Sequence, residues 1–321
     1  MIAVGVNHSS ATLALRERLS IAATGPQLQL ALAALQSRGV QGFILSTCGR
    51  TELYAYPPDH VDAVELYAQV LSTGAPLHAE ELRESCYVHT GSAGAEHALR
   101  VASGLDSIVL GEDQIHTQLK KSVAVARDAG TLGPVMDRLA SAALSCSKRV
   151  RTLTGLSRHA VSLESLALRA ATERVGALAG KHVLIIGAGD SAAIILKQLG
   201  DRDAAAITIV SRTVARATEL ARTHGAHARG AYGSAELAEA LTEADVVFCC
   251  TSAPHPVVTP ELLAPRQHER ADAPLLCVDL GMPRDVHPDV HALGVDVIAL
   301  DALQTLADAH RASRREHIPA A

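Results

Sequence analysis

Val183-Leu184-Ile185-Ile186-Gly187-Ala188-Gly189-Asp190-Ser191-Ala192 joins a continuous aliphatic run to a glycine-rich turn. Such a run suits a strand buried on both faces. Ala193 to Leu199 then continues with helical character. Strand, Gly-x-Gly-x-x-Ala and helix, in that order, form the context that a dinucleotide-binding turn requires. Gly187 permits the tight turn, Gly189 lets backbone approach a pyrophosphate, and Ala192 is small enough for close helix packing. The pyrophosphate would rest on the helix N-terminus. Gly187, Ala188, Gly189, Asp190, Ser191 and Ala192 are therefore candidate cofactor-binding residues. A strand-to-helix turn that binds nothing is the alternative.

Downstream, Ile207-Thr208-Ile209-Val210 predicts the next strand, which ends at Ser211-Arg212-Thr213. An acidic residue there would bind the ribose hydroxyls of NAD, whereas an arginine accommodates a 2′-phosphate. Ser211, Arg212 and Thr213 thus point to NADPH, with Arg212 as a plain surface cation the alternative. Asp245 to Cys250, Leu275 to Leu280 and Val295 to Leu300 predict later strands separated by helical segments. Buried runs alternating with helices indicate a parallel sheet. Residues 181–302 read as a Rossmann-type NADPH-binding domain.

Upstream the grammar differs. Ile2 to Val6, Gly42 to Ser46, Glu52 to Tyr56 and Cys86 to His89 read as strands, and Pro57-Pro58 stops the third. Leu28 to Leu35 and Val61 to Leu71 read as helices, the latter with Val61, Val64, Ala68 and Leu71 near one face. Ala93 to Thr154 is mostly helical. Val135, Leu139, Ala142, Cys146 and Val150 mark one apolar helical face, and Pro134 suits the first turn. Lys148, Arg149 and Arg151 near the end of that helix, with Arg158 close by, form the best local basic patch; a solvated helix end is the alternative reading. The chain is thus expected to be α/β, with a catalytic domain over 1–155, a helical connection over 156–180, the NADPH-binding domain, and a helical tail over 303–321.

Within the first domain, Leu45-Ser46-Thr47-Cys48-Gly49-Arg50-Thr51-Glu52-Leu53-Tyr54 lies between two strands. If the backbone there is extended, alternation places Cys48 and Arg50 on one face. A nearby cation favours the nucleophilic thiolate. The guanidinium offers a planar fork for a substrate carboxylate. The other reading is a buried cysteine at a strand end with an arginine reaching solvent. A thiolate combined with NADPH narrows the chemistry. Attack on an activated acyl group gives a thioester. Hydride reduction of the thioester gives an aldehyde and returns the thiolate, with no metal required.

The 321 residues are 48 % hydrophobic and 20 % charged, which is globular, and only 2 % aromatic, so the cores must be aliphatic. A net charge of -5 excludes a global basic field for nucleic acid. Cys48, Cys86, Cys146, Cys249, Cys250 and Cys277 form no C-x-x-C pair. All but Cys48 have mainly apolar or small neighbours and read as core thiols of a reducing compartment. The N-terminus lacks the pattern of a signal peptide, and no apolar run is long enough to span a bilayer. A cytoplasmic location without membrane contact is expected.

The chain resembles the glutamyl-tRNA reductase family. The resemblance rests on Gly5-Val6-Asn7-His8, on Ser46 to Tyr54, on Ala102-Ser103-Gly104-Leu105-Asp106-Ser107-Ile108-Val109-Leu110-Gly111-Glu112-Asp113-Gln114-Ile115, on Lys148 to Thr152, on the glycine turn, and on Asp279 to Asp285. It covers residues 1–312. It implies reduction of glutamyl-tRNA to glutamate-1-semialdehyde for 5-aminolevulinate and tetrapyrrole synthesis, with a glutamate-1-semialdehyde aminotransferase as partner. It makes Cys48 the nucleophile and His97 the assisting histidine. It places Thr47, Gly49, Arg50, Ser107, Glu112, Asp113, Gln114 and Gln118 at substrate-contact positions. Asn7, His8 and Arg284 match motif positions. Three departures stand out. Gly49 replaces the family's Asn, Glu112-Asp113-Gln114 replaces Glu-Pro-Gln, and the family continues into a helical dimerisation domain beyond the point where this sequence stops. They leave open a paralogue reducing another aminoacyl-tRNA or carrier-bound amino acid, or a non-catalytic NADPH-binding homologue. They also lead to the expectation of a monomer or weak dimer.

Overall fold

A computed structural model describes residues 1–23, 25–73, 76–154, 162–200, 204–232, 234–269 and 274–314. Arg158 of the basic stretch lies outside the described residues. The chain divides into two compact units, Met1–Ser162 with Asp308–Ala321, and Leu163–Ala307.

The first unit runs β1 (Ile2–Asn7), α1 (Leu13–Leu19), α2 (Pro26–Ser37), β2 (Gln41–Thr47), β3 (Arg50–Tyr56), α3 (Ala63–Leu71), α4 (Ala79–Leu82), β4 (Tyr87–Thr90), α5 (Gly91–Ala102), α6 (Gln114–Asp128) and α7 (Pro134–Thr154). Its sheet has the order β2-β3-β1-β4 and every pairing is antiparallel. The aliphatic residues expected in strands and helices form its core, including Val4, Leu32, Leu35, Leu45 and Leu53. α3 starts where the Asp62 carboxylate accepts from the amides of Val64 and Glu65. That side chain satisfies donors the helix cannot pair internally. The sequence pattern does not predict α1, because its short stretch carries two arginines and little apolar periodicity. Thr12 Oγ1 caps it by accepting from the Leu15 amide at 3.3 Å.

α7 begins at Pro134 as expected, but its buried face is displaced by one residue. Met136, Ala140, Ala143 and Ser147 are buried, while Val135 and Ala142 are exposed. The reason is packing. α7 lies against α5, and three of its four inward residues, Ala140, Ala143 and Ser147, are small, which permits close approach, while Met136 fills the first turn of that face. Cys146 is consequently only half-buried, as are Cys86 and Cys250, whereas Cys249 and Cys277 are core thiols.

The second unit runs α8 (Leu163–Val175), β5 (His182–Ile186), α9 (Asp190–Leu199), β6 (Ala206–Val210), α10 (Val214–His224), β7 (His227–Arg229), α11 (Ala235–Glu243), β8 (Val246–Cys249), α12 (Pro260–Glu269), β9 (Leu276–Asp279) and β10 (Asp296–Ile298), and α13 (Leu300–Arg314) follows. The helical stretch placed between Gly155 and Gly180 is α8, which groups with this unit. The sheet order is β10-β9-β8-β5-β6-β7, parallel throughout. This is the doubly wound order, with its switch point between β5 and β8. β7 has no apolar run, so the sequence pattern does not predict it. Among the described residues, no helix is long and apolar enough to cross a membrane.

Candidate active site

Thr47 on β2 pairs with Arg50 on β3, so Cys48 and Gly49 are the two residues of a hairpin turn. The alternation expected from Cys48 to Arg50 therefore breaks at the turn. The turn is pinned on both carbonyls. Arg16 Nη1, buried on α1, donates to the Cys48 carbonyl at 3.0 Å, and the His8 amide donates to that of Gly49 at 2.8 Å. Thr47 Oγ1 accepts from the Gly49 amide at 3.2 Å. Gly49 packs tightly. A Cβ there would lie 3.2 Å from Ile108 Cγ1, so Ile108 occupies space that a family-type Asn would need.

Arg50, Glu52 and Tyr54 alternate onto one face of β3. Gly5 sits opposite Glu52 on β1 and makes room for it, since a Cβ at Gly5 would lie 2.9 Å from Glu52 Cγ. Glu52 is fully buried and gathers four donors. Arg50 Nη1 reaches Oε1 at 2.7 Å, Tyr54 Oη reaches Oε2 at 2.6 Å, His97 Nε2 reaches Oε1 at 2.8 Å, and the Tyr87 hydroxyl also donates to Oε1. Arg50 Nη2 donates to the Asp106 carbonyl. His97 Nδ1 lies 3.8 Å from the Asp106 carboxylate, which Arg100 also holds at 3.1 Å.

Burial by itself raises the pKa of Glu52. The Arg50 charge and the His97 and Tyr54 hydrogen bonds outweigh it and hold Glu52 at about 2. Burial acts to lower Arg50, but Glu52 more than offsets that and pushes it up. Burial and the Glu52 charge drive the Tyr54 and Tyr87 phenols well above their ordinary range. An ionised carboxylate can only accept, so His97 Nε2 carries a hydrogen. In a neutral ring, Nδ1 then holds the lone pair that can take a proton.

Thr47, Cys48, Gly49, Arg50, Ser107, Glu112 and Gln118 line one recess of about 10 Å³, together with Ile108 and Ile115. The structure thus brings most of the expected substrate-contact residues around the thiol. It does not bring Asp113 or Gln114 there. Asp113 precedes α6 and directs its carboxylate to Arg151 Nε at 3.3 Å. Arg50 lines the recess, yet its fork is already engaged by Glu52 and Asp106, so it is no open clamp. His97 lies elsewhere. It lines a cavity of about 500 Å³ with Asn7, Tyr87, His89, Arg100 and Asp106. Arg50 and Glu52 link the two spaces. Sequence reasoning assigns no role to Glu52, Tyr87, Asp106 or Arg16. The alternation Arg50-x-Glu52-x-Tyr54 on a strand is the one signal available, since polar groups at every second position facing a core must meet partners there.

In the second unit, the loop after β5 fits a dinucleotide. Gly187 has φ +122°, and a Cβ would lie 2.6 Å from the Cys250 carbonyl oxygen across the switch point. Gly189 precedes α9 and has open space where a Cβ would project. Ser211 is buried and Arg212 exposed at the end of β6. On the far side of the switch point, Asp279 Oδ2 accepts from the amides of Asp285 and Val286 at 2.9 Å. Asp285 in turn accepts from the Thr251 amide at 2.7 Å and from its hydroxyl. Burial and the Asp279 charge, opposed by Thr251, raise the pKa of Asp285 to about 7.

Residues 4–154 match the family profile "Glutamyl-tRNAGlu reductase, N-terminal domain", and residues 169–306 match "Shikimate / quinate 5-dehydrogenase". The chain is 38 % identical over 319 residues to a glutamyl-tRNA reductase of Alcanivorax borkumensis, covering 98 % of this chain and 74 % of the relative. It is 37 % identical to that of Pseudomonas entomophila, covering 91 % and 68 %. The glutamyl-tRNA reductase structure from Methanopyrus kandleri is 32 % identical with a TM-score of 0.49, covering 99 % of this chain and 75 % of that one. With its hairpin thiol, its doubly wound second unit and the Alcanivorax and Pseudomonas sequence relatives, the chain belongs to the glutamyl-tRNA reductase family and is an oxidoreductase.

Proposed function

We propose that the protein reduces the glutamyl ester of tRNA to glutamate-1-semialdehyde, the aldehyde from which 5-aminolevulinate and tetrapyrroles are made, with NADPH as the reductant. The observation that carries this reading is the Cys48 thiol at a pinned hairpin tip, ringed by Thr47, Gly49, Arg50, Ser107, Glu112 and Gln118, in a chain of this family.

Cys48 Sγ, as the thiolate, attacks the ester carbonyl. The carbon–sulfur bond forms, the carbon–oxygen bond to the ribose breaks, and the ribose oxygen leaves as the hydroxyl by taking a proton from solvent, in balance with the one that Cys48 gave up on ionising. Arg16 and His8 hold the turn carbonyls, so the thiol meets the ester from a fixed backbone. Glu52 orients His97 and keeps the hydrogen on Nε2, which leaves Nδ1 to move protons at the cavity. Gly187, Gly189 and the start of α9 would hold the pyrophosphate of the cofactor, and Arg212 its 2′-phosphate. Bound there, NADPH supplies the hydride that the thioester carbon requires. Collapse of the reduced adduct breaks the carbon–sulfur bond, releases the aldehyde and returns Cys48 as the thiolate.

The test is incubation of the protein with NADPH and a panel of charged tRNAs, with trapping of aldehyde and intact-mass analysis in the absence of NADPH. A glutamyl adduct on the wild type, none on Cys48→Ala, and trapped glutamate-1-semialdehyde are expected. Turnover by Cys48→Ala, or an aldehyde from another amino acid alone, would overturn the reading.

A further inference from the structure

The side chains ringed around Cys48 offer contacts to an acyl group but none to the nucleic acid behind it. The α6–α7 pair carries a surface suited to that. Lys120 on α6 and Lys148 on α7 are exposed, and neither ammonium makes an ion pair among the described residues. Arg151, further along α7, reaches back to the Asp113 carbonyl at 3.2 Å and to its carboxylate. His116 sits among them, with Nδ1 3.0 Å from the hydroxyl of buried Ser147. Burial lowers its pKa first, and the charges of Arg151, Lys148 and Lys120 lower it further, with Asp113 acting against them. Lys120 stands one turn from His116 on α6, Lys148 follows Ser147 on α7, and Arg151 lies about one turn further along with Asp113 facing it, so cations from two helices surround one ring in a chain whose net charge is -5. Like charges held together repel, and a bound polyanion relieves that cost.

The patch is within reach of the recess around α6. Ile115 and Gln118 line the Cys48 recess from α6. Two residues along a helix advance about 3 Å and turn about 200°. Lys120 therefore lies near the opposite side of α6 from Gln118, and a strand leaving the recess follows about half the helix circumference, roughly 15 Å, to meet it. About four to five nucleotides of a stacked strand, at about 3.4 Å each, cover that path. The two exposed ammonium groups suit phosphate contacts that position a strand without reading its sequence.

We propose that Lys120, Lys148 and Arg151 bind the backbone phosphates of the acceptor end of the tRNA whose ester is presented to Cys48, an inference that rests on the tRNA reading above. The experiment compares the wild-type chain with the double variant Lys120→Glu/Lys148→Glu. One arm measures binding of uncharged tRNA by fluorescence anisotropy across a salt series. The other measures acylation of Cys48 by a small activated α-ester of glutamate that carries no RNA. The double variant should bind tRNA about tenfold more weakly near 0.1 M salt. Its slope of log K against log salt should shrink by about 0.7 for each phosphate that the variant no longer neutralises. Acylation by the small ester should stay within twofold, and Lys120→Arg/Lys148→Arg should retain binding. Unchanged affinity and slope in a chain that still reduces glutamyl-tRNA would overturn the patch and leave the reaction standing. An equal loss in Lys197→Glu/Arg222→Glu, the same change of charge at exposed positions of α9 and α10, would reduce the effect to overall charge and overturn it too. Equal loss of small-ester acylation would show damage to the hairpin site instead of a weaker hold on phosphate, and would also overturn the patch. A wild type that neither binds tRNA nor reduces charged tRNA would overturn the tRNA reading and the patch together.

Discussion

Each unit buries a carboxylate, Glu52 in the first and Asp285 in the second, and the two titrate in opposite directions. Both groups feel the same desolvation, which favours the neutral acid. Glu52 meets a guanidinium, an imidazole and two phenols, and is held at about 2. Asp285 meets a second carboxylate, Asp279, whose own oxygens are taken by backbone amides, and is raised to about 7. Burial alone therefore does not decide the charge of a group. The neighbours brought in from other strands and helices decide it. The difference also suits the two regions. The first unit thereby keeps a permanent anion that orients His97, whereas in the second the Asp279 charge keeps its neighbour Asp285 protonated to higher pH.

The strongest way to break this comparison is Glu52→Gln. It leaves the Arg50 guanidinium buried without its anion, which costs about 3–5 kcal/mol. Denaturant unfolding of the first unit's signal should show that loss, and a change below about 1 kcal/mol would mean that the network does not hold the site. In the wild type, the Glu52 pKa is depressed from 4.5 to about 2. Its contribution is thus complete above pH 4.5 and disappears as pH falls from 4.5 towards 2.

A second change tests the surface end of the second unit. Arg212→Ala should weaken NADPH binding by about 1.5–3 kcal/mol, the range for a hydrogen bond to a charged group, with little change for NADH. Titration of both cofactors gives the answer, and equal losses would remove phosphate recognition from this side chain.

Asp285→Asn sharpens the pH contrast. The wild-type pKa is raised from 3.8 to about 7, so the stabilisation is complete below pH 3.8 and is lost as pH rises through 7. The slope from one proton cannot exceed about 1.4 kcal/mol per pH unit. Asn keeps an acceptor for the Thr251 amide and offers its hydroxyl a donor. Thermal unfolding of Asp285→Asn between pH 5 and 8 should therefore lack this slope, and an unchanged slope would assign it elsewhere.

The smallest expected effect is at the hairpin. Gly49→Asn must displace Ile108, which costs about 1 kcal/mol as overpacking. Adding Ile108→Val should recover part of it. A fully stable Gly49→Asn would show that Ile108 gives way freely.

Much of this molecule is legible in its residues, for reasons that differ between the units. The glycine turn, Arg212 and the buried strands of the second unit are local signals, because a parallel strand covered on both faces must be apolar along its whole length. The strands of the first unit are legible too, and so is the thiol between β2 and β3. The alternation expected to join Cys48 and Arg50 is not realised, because Thr47 and Arg50 pair and the chain reverses between them. Periodicity shows that α7 is a helix but chooses a face one residue away from the one that packs, since the inward face is fixed by the contact with α5 and not by apolar content, as exposed Val135 and buried Ser147 show.

The sequence by itself determined the strand–turn–helix of the cofactor loop, the position of the thiol between two strands, and the family. Those follow from residue types at short spacing, which act before any long-range contact forms. Tertiary structure alone decided that Arg50 turns inward to Glu52, that His97 and Cys48 lie in separate spaces joined through that pair, and that Asp285 shares its corner with Asp279. Each of these depends on groups distant in sequence meeting in a low-dielectric interior, where a partner's charge matters more than any property of the residue alone.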